Sequence, residues 1–97
     1  MDQNIFRAKL VSDGFTQIET NNLEPKPVNG EHIHDHDIRG LVLHGKFIVW
    51  KDNQPVSYNS GEVFMVSAGT KHAEQVGPHG AQILIGRKYE FHIIQAE

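Results

Sequence analysis

The chain has no cysteine, which removes disulfide frameworks, cysteine-built zinc ribbons and thiol nucleophiles together. It has no apolar run approaching the roughly 20 residues of a transmembrane helix. Its start, Met1-Asp2-Gln3-Asn4-Ile5-Phe6-Arg7, carries no apolar core of a signal peptide. A cytoplasmic protein without a membrane partner is the expectation. Excess positive charge is also missing. A net charge of −3 and a pI near 6.1 leave no basic footprint for nucleic acid. No Ser-His-Asp order, glycine-rich phosphate loop or nucleotide-binding fingerprint occurs, so covalent catalysis has no candidate. Helical pattern is scarce too, being confined to residues 4–12.

What is present fits one small domain, residues 1–97. A chain of this length holds a single core that is marginal without closure, metal or a partner chain. Ile5, Phe6, Leu10 and Val11 sit among good helix formers, and Asp13-Gly14 supplies a stop. That predicts a short N-terminal helix. Phe15 to Thr20 is β-prone. Asn21-Asn22 and Glu24-Pro25-Lys26-Pro27 read as irregular, since proline fixes φ and lacks a donor. Residues 1–29 therefore form a helix, a strand and an irregular segment.

From Gly30 onward the pattern is strand and turn. Arg39–Leu43 and Lys46–Trp50 flank His44-Gly45, which reads as a two-residue hairpin connection. Gly77-Pro78-His79-Gly80 reads as another turn, between Lys71–Val76 and Ala81–Arg87. Residues 30–87 form the barrel core, and 88–97 a last strand in which Tyr89, Phe91 and Ile93 alternate with Glu90 and His92. Short strands bounded by glycine and proline indicate an all-β antiparallel sandwich or barrel. One short helix cannot cover two sheet faces, so sheet must pack on sheet, as in a small jelly roll.

Seven histidines are many for this length, and most histidines in polar loops are simply solvated. His32, His34 and His36 differ because they alternate. In a strand, side chains two apart share a face. Two imidazoles on one face, joined by His72 from a distant strand, make three corners of a metal site. Three protein ligands leave positions open for water or substrate. His36 shares the parity of the pair and is an additional candidate ligand. Asp37 is a candidate carboxylate that could swing in. Glu74, two residues after His72, falls on its face and could carry a proton or orient an imidazole. Arg39 could hold an anion, although a surface ion pair is the commoner fate. His44, His79 and His92 read as solvated.

Gly30, His32-Ile33-His34 and the turn glycine Gly45 resemble the first motif of the cupins, small metal-binding jelly-roll barrels. Gly61, Gly69 and His72 resemble the second motif, with Ser67 in the place of its proline. Three departures stand out, the first being that Gly30 lies two residues before His32, closer than the usual pattern. Ile38 occupies the position of the first motif's glutamate ligand, and Val76 that of an asparagine in the second. The resemblance implies one divalent ion (Fe, Mn, Ni or Zn) held by His32, His34 and His72, with an all-histidine triad as the simplest site. It implies an enzyme acting on a small oxygen-bearing molecule, by oxygenation, isomerisation or hydrolysis. The alternative is a non-catalytic module that binds a small ligand or metal. A homodimer is expected from the exposed strand edges and from the habits of cupins.

Overall fold

The structure is a computed structural model that describes residues 1–89. It contains α1 (Gln3–Ser12), β1 (Thr16–Leu23), β2 (His36–Lys51), β3 (Gln54–Asn59), β4 (Val63–Val66) and β5 (Ala73–Tyr89). The sheet is antiparallel throughout, in the order β1-β5-β2-β3, with β4 pairing Ile38–Leu41 of β2 on the edge away from β5. This is the expected all-β fold with one short helix. Of the expected last strand, Lys88 and Tyr89 belong to β5; Glu90, Phe91, His92 and Ile93 lie outside the described residues.

The helix forms where its pattern predicts. The Asp2 carboxylate caps it, accepting the N–H groups of Asn4 at 2.8 Å and Ile5 at 3.1 Å. Phe6 and Leu10, four apart, bury their side chains with Phe15, Leu41 and Leu84 on the outer face of the sheet. The helix thus closes one outer face. The inner face carries a separate core of Ile38, Val42, Phe47, Val49, Phe64, Val66, Val76, Ile83 and Ile85. Phe64 lies over Gly40, where a Cβ would collide with its ring, and packs 4.7 Å from the Phe47 ring.

Three local readings are corrected. Asn21 and Asn22 belong to β1 and pair with Ile83 and Gln82. His44-Gly45 is not a hairpin turn, and Gly77–Gly80 is not a loop. Both lie within long strands, β2 of 16 residues and β5 of 17. The ladder between these strands shifts register around His44 and Gly45, which is a bulge. Inward positions are even before it (Ile38, Val42) and odd after it (Phe47, Val49). On β5 they change from Val76 to Ala81, Ile83 and Ile85. Gly45 has φ +80° and Gly80 φ +75°, and a Cβ on Gly45 would strike the Gly80 carbonyl. Only glycine allows both the backbone conformation and this approach.

The bend brings the ribbon's ends together. His36 pairs with Tyr89 at one end of β5, while His32 bridges His72 just before its other end. Those two histidines are four residues apart and so span at most about 14 Å, whereas 17 straight strand residues would run about 56 Å. The segment from Lys26 to His32 continues the path of β1 along β5 through the Lys26–Val76 and His32–His72 bridges. This seam closes the barrel, and the histidines sit on it.

Candidate metal centre

At the seam His32 and His72 form an antiparallel pair: each N–H donates to the other's carbonyl, at 2.9 and 3.0 Å. That pairing sets their rings 4.5 Å apart between centroids. His34 lies 4.9 Å from the His32 ring and 5.1 Å from the His72 ring. One ligand atom from each of His32, His34, His72 and Glu74 falls within 4.8 Å of all the others. His72 is fully buried.

Local backbone geometry aims these rings. The Nδ1 of His32 lies 2.9 Å from the Gly30 carbonyl, and the Nδ1 of His72 lies 2.9 Å from the Thr70 carbonyl. A carbonyl only accepts, so each Nδ1 carries the proton and each Nε2 is left with a lone pair for a metal. The same two-residue backstep serves both motifs. His34 Nε2 is buried with no hydrogen-bond partner, an arrangement that costs free energy unless something binds it. His72 Nε2 and Glu74 Oε2 stand 3.2 Å apart. Two lone-pair donors this close at a buried site call for a cation, either an extra proton or a metal ion. The donor set of three imidazoles and a carboxylate suits a divalent transition metal. By these tests the residues fit the expected ion.

Neighbouring groups hold the candidate ligands in place. Asn29 brackets Glu74, its Oδ1 accepting the Glu74 N–H at 2.8 Å and its own N–H donating to the Glu74 carbonyl at 3.0 Å. The Gly69 N–H donates to the His34 carbonyl at 2.9 Å. Asp37, a candidate ligand by sequence, accepts the Ala68 N–H at 2.7 Å and so pins the Ser67–Thr70 bend instead of joining the cluster. His36 lies beside it: its ring is 5.0 Å from that of His34 and 4.7 Å from that of Tyr89. Its Nδ1 meets the Asp35 carboxylate at 2.9 Å, and its Nε2 is buried without a partner. Arg39 points away, to an ion pair with Asp13 at 2.5 Å, with its guanidinium 4.5 Å over the Phe15 ring. His44 and His79 are exposed, in the strand bend.

A cavity of about 230 Å³ opens beside the cluster. His34, His36 and Glu74 line its polar part, and Ile38, Phe47, Phe64, Ile83 and Ile85 its apolar part; Lys26 and Arg87 also face it. Sequence reasoning did not single out Lys26, Asn29 or Arg87. The parity of Arg87 with Ile83 and Ile85 was the available signal for the last.

Burial, followed by the nearby His72, His32 and His36, holds the pKa of His34 below its ordinary value of 6.5. The neutral ring that a metal needs is therefore favoured. As pH falls through about 6.5, the unfolded chain takes up this proton before the folded one, so stability is lost from there down to the depressed folded pKa. Metal occupancy should fall in the same direction, because binding displaces protons. Metal content and melting temperature measured across this range should decline together. Full occupancy retained at about pH 4, where carboxylates alone still ionise, would contradict imidazole ligation.

A family model described as a cupin domain matches residues 21–76. Comparison with curated proteins gives no match. Among solved structures, a protein of unknown function from Rhizobium leguminosarum bv. viciae superposes with a TM-score of 0.68 at 19% identity, over 75% of this chain and 69% of that one. A conserved protein of unknown function from Streptococcus pyogenes gives 0.66 at 20% identity, over 77% and 65%. This chain therefore spans slightly less than two thirds of the streptococcal protein. A Thermotoga maritima protein described as a predicted oxalate decarboxylase gives 0.65 at 17% identity, over 84% and 73%. Likeness at these identities is likeness of fold.

Proposed function

The chain belongs to the cupin domain family, and from that premise we propose a metal-dependent enzyme acting on a small oxygen-bearing molecule. One divalent ion, Fe, Mn, Ni or Zn, is held by the Nε2 atoms of His32, His34 and His72. The observation that carries this reading is the convergence of one ring nitrogen from each of these histidines and the Glu74 carboxylate within 4.8 Å of one another. Glu74 supplies from the second motif the carboxylate that Ile38 denies to the first. Such an ion, when bound, polarises a substrate oxygen or lowers the pKa of a water. Glu74, at the cavity wall, accepts or returns the proton. The apolar side chains of Ile38, Phe47 and Phe64 keep bulk water from the reacting atoms, and His36 presents Nε2 to a polar group of the substrate.

Metal analysis of protein prepared without a polyhistidine tag tests the centre; one ion per chain is expected. A turnover screen with each of the four metals then tests the enzyme. Metal without turnover across the screen would favour a module that binds a small ligand, a reading supported by the small cavity of about 230 Å³. Among the described residues no helix is long and apolar enough to cross a membrane. We include in this proposal a homodimer paired through the open edges of the sheet; a sedimentation mass near 10.9 kDa would overturn that part.

A further inference from the structure

The cavity beside the histidines is charged opposite to the molecule around it. The chain as a whole is acidic, at −3. Among the charged groups lining the cavity, Lys26 and Arg87 are cations and Glu74 is the one carboxylate. Adding a divalent ion at His32, His34 and His72 makes the interior more positive still. One Nη of Arg87 is engaged by Glu19 at 3.2 Å, and a guanidinium has five N–H donors, so the rest of the fork remains available. Among the described residues no hydrogen bond or ion pair engages the Lys26 ammonium. Lys26 arrives from the seam opposite Val76, and Arg87 from the far part of β5 opposite Ile38. The two cations thus reach one cavity from separate stretches of chain, as they would to meet one ligand.

We infer that the cavity binds a small carboxylate with a short aliphatic body, its carboxylate directed to Arg87 and Lys26. The planar fork of arginine matches a carboxylate in two parallel hydrogen bonds. Ile38, Phe64, Ile83 and Ile85 take the aliphatic part. The volume lies below the about 300–1,000 Å³ of pockets for drug-sized molecules, which restricts the ligand to a few carbons. The inference rests on the metal-centre reading for the ion's share of the attraction. Arg87 and Lys26 remain without it.

The test uses acetate, butanoate and 3-methylbutanoate, each against its uncharged amide, with binding followed by calorimetry on metal-loaded and metal-free protein. At least one carboxylate should bind metal-loaded protein about tenfold or more above its amide, which corresponds to one hydrogen bond to a charged group. Metal-free protein should keep that preference at lower affinity. Arg87→Gln should cost about tenfold for the carboxylate and leave both amide binding and metal content unchanged. Glu19→Gln breaks the same rim ion pair yet keeps the cation, and should retain carboxylate binding. The inference is overturned if no carboxylate outbinds its amide, if Arg87→Gln has no effect, or if Glu19→Gln loses binding equally. Full metal content with no carboxylate preference would sink this inference alone. Absence of metal with the preference intact would sink the metal centre and leave this one standing.

Discussion

His72→Ala is expected to lower metal affinity by more than about a hundredfold, beyond the 10–100-fold that follows loss of a group merely orienting a ligand. The reason lies in what His72 does at once. In the proposed centre it offers Nε2 to the ion, its ring is fully buried, and its backbone forms half of the bridge to His32. Alanine keeps the bridge and removes the ligand. His32→Ala should cost a similar amount, since the two residues are placed by the same pairing and aimed by the same backstep onto a carbonyl. His79→Ala, in the distant strand bend, should leave metal content unchanged. Quantitative metal analysis and competition with a chelator read all three. If the protein with His32, His34 and His72 all replaced by alanine still binds one equivalent, the centre lies elsewhere.

Glu74→Gln should keep one ion per chain at saturating metal, because three imidazoles suffice to hold it. Affinity should drop by about 10–100-fold, as the carboxylate stands 3.2 Å from His72 Nε2. The larger effect should fall on turnover with a substrate found by the metal screen, about 10²–10⁴-fold, which is what a positioned acid or base typically supplies. Glutamine keeps the shape and the hydrogen bonding to its surroundings, and Asn29 still brackets the backbone at 74. A loss of rate is therefore chemical rather than structural. Unchanged turnover would remove Glu74 from the proton path and leave His36 as the nearest buried nitrogen.

How much of this was legible beforehand depends on whether the signal was local. The helix and its stop were, because capping and the Asp13-Gly14 end are decided by neighbours in sequence. The face shared by His72 and Glu74 was also legible, since strand parity needs only a regular strand between them. The bend at Gly45 was misread for a physical reason. A bulge and a hairpin both require a residue of positive φ, and only the partner strand tells them apart. Here that partner is Ala81, beside Gly80, some 36 residues away in sequence. The His32–His72 bridge was hidden in the same way. Asp37 shows the converse limit, because a carboxylate beside a metal motif can equally tie down a bend, and only the Ala68 N–H reveals which.

The seam has one more consequence, for how an ion gets in. Its backbone bonds are few: the reciprocal pairs at His32–His72 and Lys26–Val76, and the Asn29 contact with Glu74. Two of its apolar side chains, Val28 and Ile33, face solvent at 47% and 61% exposure, so little buried surface opposes its separation from β5. Such a strip opens locally at a fraction of the cost of global unfolding. Local opening there would expose His72, which solvent does not reach in the closed barrel. A metal held by His32, His34 and His72 would oppose that opening, since its bonds would have to break first, and metal-free protein should then be the leakier form to amide exchange along residues 26–34.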